Sequence, residues 1–121
     1  MSELADFLRD GGNTGPRIRF TVATGGINAG EVVKITDVYA LAYRTYAAAA
    51  VGVGVVESDN CMIPKSVGTG LTISAGDKLY LNTSTLVVSK TQGTGDLEKG
   101  YALEAATATA THVQGVWRGD K

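Results

Sequence analysis

The residues able to do chemistry are few, and their number bounds what this chain can be. One cysteine, Cys61, and one histidine, His112, stand in 121 residues. Structural zinc takes four clustered Cys or His ligands, a pattern far from one of each in a chain. Cys61 precedes Met62 and Ile63 with no cation beside it, which suits a small buried apolar residue better than a reactive thiolate. His112 stands with Val113 and Trp117 in an alternating run, where a lone histidine is read as a surface or edge residue. Two acidic clusters, Glu57 with Asp59 and Asn60, and Asp96 with Glu98, offer oxygens but not the ligand spacing of a calcium loop. Their ordinary use is turn chemistry. Gly52-Val53-Gly54 lacks the third glycine and following helix of a dinucleotide site, and no Gly-Lys-Ser/Thr occurs. No nucleophile, base and orienting group can be named together, so the sequence predicts no catalytic residue, no metal and no cofactor.

Charge narrows the partners. Eleven Lys and Arg against twelve Asp and Glu give a net charge of −1, which supplies no general attraction to nucleic acid or to an anionic membrane. Arg17 and Arg19 make a basic face too small to neutralise several phosphates, but suited to an acidic patch on another protein. With one cysteine there is no intrachain disulfide. No apolar run reaches membrane-spanning length, and the first residues lack the basic and apolar regions of a leader. The expectation is a soluble protein made in a reducing cytoplasm.

The elements that carry these residues are strands and turns. Sixteen glycines, two prolines and 19% charged residues suit a compact, turn-rich β chain of one domain's length. Its pivot is Ile73-Ser74-Ala75-Gly76-Asp77, a turn in which Gly76 takes positive φ before Leu79 and Leu81 return to the core. Ile27-Asn28-Ala29-Gly30-Glu31 repeats the same turn ahead of Val32 to Ile35. Ile18, Phe20 and Val22 alternate with Arg17, Arg19 and Thr21 as in a half-buried strand. Residues 37–50 admit two readings: a helix capped by Asp37 and fed by alanines, or a strand followed by an Ala-rich connection, of which the strand is favoured. Val51 to Val56 reads as a buried strand, Glu57 to Asn60 as a polar turn, and Leu86 to Ser89 as the second arm of a hairpin. Residues 91–98 read as a surface loop, with strands at 100–105 and 112–118 on either side of a turn at 107–110. Upstream, Leu4, Phe7 and Leu8 lie at helical spacing behind Ser2, and Gly11 to Pro16 cannot sustain a helix or a ladder. Residues 1–16 are therefore a flexible N-terminal arm and 17–121 a single β domain.

In their order, Ile27-Asn28-Ala29-Gly30-Glu31-Val32-Val33, Ile63-Pro64-Lys65, Ile73-Ser74-Ala75-Gly76-Asp77-Lys78-Leu79-Tyr80 and Gly100-Tyr101-Ala102-Leu103-Glu104-Ala105 resemble the capsid decoration or cement proteins of tailed bacteriophages. The likeness spans roughly residues 7 to 118, the extent of one compact domain. It departs at Ala47 to Ala50 and at Glu57 to Cys61. The resemblance implies a small all-β, barrel-like or sandwich fold that binds the outer surface of an icosahedral head as a homotrimer and stabilises capsomer junctions, with the major capsid protein as partner. Leu4, Phe7, Leu8 and Arg9 would then be the capsid-binding arm, Arg17 and Arg19 interface residues, and Gly30 and Gly76 structural turns. The competing reading is a small β module for glycans or a host surface, which needs exposed aromatics such as Tyr39, Tyr43, Tyr46 and Trp117.

Overall fold

Alternating and β-branched segments separated by glycine turns build nine strands in a computed structural model that describes residues 16–120. They are β1 (Arg17–Thr21), β2 (Val32–Ile35), β3 (Val38–Ala42), β4 (Val51–Val55), β5 (Glu57–Pro64), β6 (Lys78–Leu81), β7 (Val88–Ser89), β8 (Leu97–Ala102) and β9 (His112–Arg118). The first four form one sheet in the order β1-β4-β3-β2, and the rest a second in the order β5-β9-β8-β6-β7. All named pairings are antiparallel. The all-β class expected from the sequence is the class observed.

The two sheets are versions of one unit. Gly30 N donates to Ala42 O and Ala42 N to Glu31 O; Gly76 N to Ala102 O and Ala102 N to Asp77 O repeat the pattern, all four at 2.8 Å. Ile27 bridges Tyr46 as Ile73 bridges Ala106. In strand pairing, Gly54 faces Ala42 where Gly115 faces Ala102. The echoed turn motif therefore marks a repeated β unit, in which β1, β2, β3 and β4 correspond to β5, β6, β8 and β9. The turn itself is closed locally: Asn28 N donates to Glu31 Oε1 at 2.7 Å and Ser74 N to Asp77 Oδ2 at 2.8 Å, while Gly30 and Gly76 have φ of 82° and 91°. Only a residue without a Cβ takes that conformation cheaply.

The units differ in closure. Between β2 and β3 lies only the turn Thr36-Asp37, whereas residues 82–96 separate β6 from β8 and contribute β7. Val88 of β7 pairs with Leu81 on one side and bridges Lys65, next to β5, on the other; Ser66 N also donates to Val88 O. The second sheet is thereby drawn round on itself. Its interior holds Cys61, Ile63, Leu79, Leu81, Val88, Val113 and Trp117, all at most 1% exposed. The first sheet adds Val32, Tyr39, Leu41 and Val55 to the same core cluster. The sheets are joined where Trp117 Nε1 donates to Tyr39 O (3.0 Å), Tyr39 N to Gly119 O (3.0 Å) and Gly119 N to Val56 O (2.8 Å).

Three local expectations are corrected. Glu57 to Asn60 is no turn but the first half of β5, held in register by Arg118 and Trp117 of β9, with an irregularity between Ser58 and Cys61 that accommodates the polar residues. Leu97 and Glu98 belong to β8, because β6 offers them partners in Leu81 and Tyr80. Val51, read as buried, is 66% exposed at the entry to β4. For 37–50 the strand reading holds over Val38–Ala42, followed by turns. Apart from Pro16, the arm at 1–16 lies outside the described residues.

Candidate interaction surface

β1 is an edge strand: it pairs with β4 on one side, and no other described strand pairs with its outer side. It places Arg17 and Arg19 two apart and on one face, both exposed. Arg17 does more than point into solvent. Its guanidinium lies 4.3 Å from the Tyr43 ring centroid, with that of Arg44 5.1 Å from the same centroid. Each such contact contributes about 0.5 to 1 kcal/mol at exposed sites and fixes the direction of the charge. Lys34 on β2 stands 5.9 Å from the Tyr39 ring, so the first sheet gathers four cations. Tyr43 as the anchor was legible in sequence only as one tyrosine among several. Of the proposed arm residues, Leu4, Phe7, Leu8 and Arg9 lie outside the described residues.

The residues with chemical potential are used structurally. Cys61 is fully buried, and burial pushes its thiol up to about 12, against a smaller lowering by the Ser58 hydrogen bond. Such a thiol is a poor nucleophile at neutral pH. His112 is exposed beside Thr111, whose Oγ1 lies 2.9 Å from Nδ1; partial desolvation lowers its pKa, against a smaller raising by the Glu31 carboxylate. Among the described residues no group of three or more His, Cys, Asp or Glu is placed to hold a metal ion. No described helix is long and apolar enough to cross a membrane.

Two lysines escaped the sequence reading. Lys65 is 3% exposed, with Nζ donating to Ser66 O (2.7 Å), Ala110 O (3.2 Å) and Ala108 O (3.5 Å). It ties the loop after β5 to the 107–110 turn, and desolvation lowers its pKa. The available signal was its position ending the Ile63-Pro64-Lys65 motif. Lys99, also 3% exposed, donates to Gly119 O and lies 5.2 Å from the Tyr39 ring at the junction of the sheets.

A glycan platform needs accessible rings, and the four aromatics suggested for it do not supply one. Trp117 is fully buried, Tyr39 is 5% exposed, and Tyr43 and Tyr46 are half-buried. Tyr46 packs edge-on to Phe20 with centroids 6.3 Å apart. Exposed large apolar residues lie elsewhere, at Val51, Val67, Leu97, Tyr101 and Leu103. Tyr101 borders a shallow hollow of about 450 Å³ with Glu98 and Arg118. A smaller cleft of about 260 Å³ runs between Ile27 and Val32 of the first unit and Pro64 and Leu86 of the second. The arrangement is thus one of edges, cations and scattered apolar groups, the chemistry of contact with a macromolecule. A family model described as phage cement protein matches residues 12–117. No curated protein and no solved structure matches the chain.

Proposed function

As a member of the phage cement protein family, this chain has a structural role at the phage capsid, and we propose that it decorates the outer surface of an icosahedral head as a homotrimer and stabilises capsomer junctions. Its partners are then the major capsid protein and two further copies of itself, with no part for nucleic acid, membrane or cofactor, and it is made in the cytoplasm of the host. The observation that carries the reading is the extent of the match, residues 12–117, which takes in every described strand except the last residue of β9.

In this reading residues 2–16 engage the shell through Leu4, Phe7, Leu8 and Arg9, and Arg17 and Arg19 meet acidic groups on it. Burial of each large apolar side chain contributes roughly 1.5 to 3 kcal/mol before the cost of ordering, so one arm binds weakly. Three arms on one trimer bind at high effective concentration once the first has docked. A chain beginning at Arg17 is expected to keep its trimeric mass in light scattering and to lose most occupancy when pelleted with undecorated heads. Full occupancy without residues 1–16 would refute the arm as the binding element. A monomeric mass for the full chain would refute the multivalent attachment.

A further inference from the structure

The first sheet has a concave apolar face that its counterpart buries and it does not. Curvature is shown by what meets over the central glycines. A Cβ at Gly115 would lie 3.2 Å from Leu79 Cδ1 of β6 and 3.3 Å from Ile63 Cδ1 of β5, side chains from opposite sides of the sheet. At Gly54 the same construction meets Ile18 Cγ2 of β1 at 3.6 Å and Ile35 Cδ1 of β2 at 3.8 Å. Both sheets curl toward the corresponding face. In the second unit Cys61 faces Gly115, Ile63 faces Val113 and Leu79 faces Gly100, and all three are 0% exposed. Their counterparts Ile18 facing Gly54, Phe20 facing Gly52 and Val33 facing Ala40 are only half-buried. The difference follows from the connection: residues 82–96 supply the closing strand β7, and the first unit has Thr36-Asp37 instead.

We infer that the missing cover in the free protein is the chain's own residues 1–10, with Leu4, Phe7 and Leu8 seated over Ile18, Phe20, Val33 and Ile35. Two observations select this occupant. The chain reaches the described structure at Pro16, whose carbonyl accepts from Val56 N, and two residues later it lines the open face at Ile18. Gly11-Gly12-Asn13-Thr14-Gly15 gives the connecting segment the backbone freedom to turn back onto that face. A segment tethered so close to its site is present at millimolar effective concentration, which favours it over an unattached second copy. Seated there, the three side chains are kept from self-association.

The test uses the full chain without heads, so its outcome is separate from that of shell binding. A nitroxide is attached through Asp6→Cys; Cys61, buried and with its thiol pushed up to about 12, stays unlabelled. Methyl signals of Ile18, Val33 and Ile35 are expected to lose most of their intensity, while those of Val67 and Leu103, exposed outside the first sheet, keep theirs. The loss should disappear when Leu4→Ser and Phe7→Ser are added and the remaining signals stay in place. Uniform broadening, or none, would overturn the inference. So would broadening of an isotope-labelled, nitroxide-free chain mixed with a nitroxide-bearing unlabelled one, which would assign the face to a neighbouring copy.

Discussion

Replacing Trp117 by Phe tests the joint between the two sheets. The indole is fully buried, and its Nε1 donates to Tyr39 O at 3.0 Å, reaching from β9 in the second sheet to β3 in the first. Phenylalanine keeps the six-membered ring in the core and removes the donor. Leaving the Tyr39 carbonyl without its partner costs about 1 to 3 kcal/mol. The space vacated by the pyrrole ring adds about 1 kcal/mol, at roughly 24 cal/mol per Å³ of residual cavity. The sum is about 2 to 4 kcal/mol. For a chain of this length each kcal/mol corresponds to roughly 3 to 5 °C, so Tm is expected to fall by about 6 to 20 °C. Circular dichroism is the suitable assay, because Trp117 is the one tryptophan and its fluorescence is lost with it. Amide exchange adds a local readout: Tyr39 N and Gly119 N, which bond to Gly119 O and Val56 O at the same joint, should exchange faster. A Tm within about 2 °C of the parent, together with unchanged exchange at these two amides, would refute the argument that this hydrogen bond couples the sheets.

Gly76→Val is expected to cost about 1 to 3 kcal/mol in urea unfolding, purely through backbone strain, because φ is 91° and no atom lies within 4 Å of the added Cβ. Gly30→Val, at φ 82°, should behave alike, and midpoints equal to the parent's would show that neither turn depends on glycine. His112 makes stability depend on pH with a defined sign. Its folded pKa lies below the usual 6.5, so the unfolded chain takes up the proton more readily and stability declines as pH drops from 6.5 toward the folded value. The decline is small for an exposed ring, and His112→Gln should flatten it when unfolding midpoints at pH about 7.5 and about 5.5 are compared. A steeper decline in the variant would mean that the fold favours the protonated ring.

The sequence by itself determined what is decided within a few residues. Arg17 to Thr21 alternates and forms a strand. The Ile-x-Ala-Gly-acid turn closes on its own carboxylate and glycine, and so it is legible twice, at 27–31 and 73–77. The ordered motifs also carried the family, two of them as turns whose geometry is local. Tertiary structure alone decided everything that depends on a distant partner. Glu57 to Asn60 looks like a turn until β9 lies beside it, and Lys65 looks solvated until the carbonyls of Ser66, Ala108 and Ala110 converge on its ammonium. Period two says that a strand has two faces; it does not say which one is covered. Ile18 and Cys61 hold equivalent places in the repeated unit, yet one is half-buried and the other fully so, because β7 closes only the second sheet. Burial is set by what packs against a face, and that neighbour is remote in sequence.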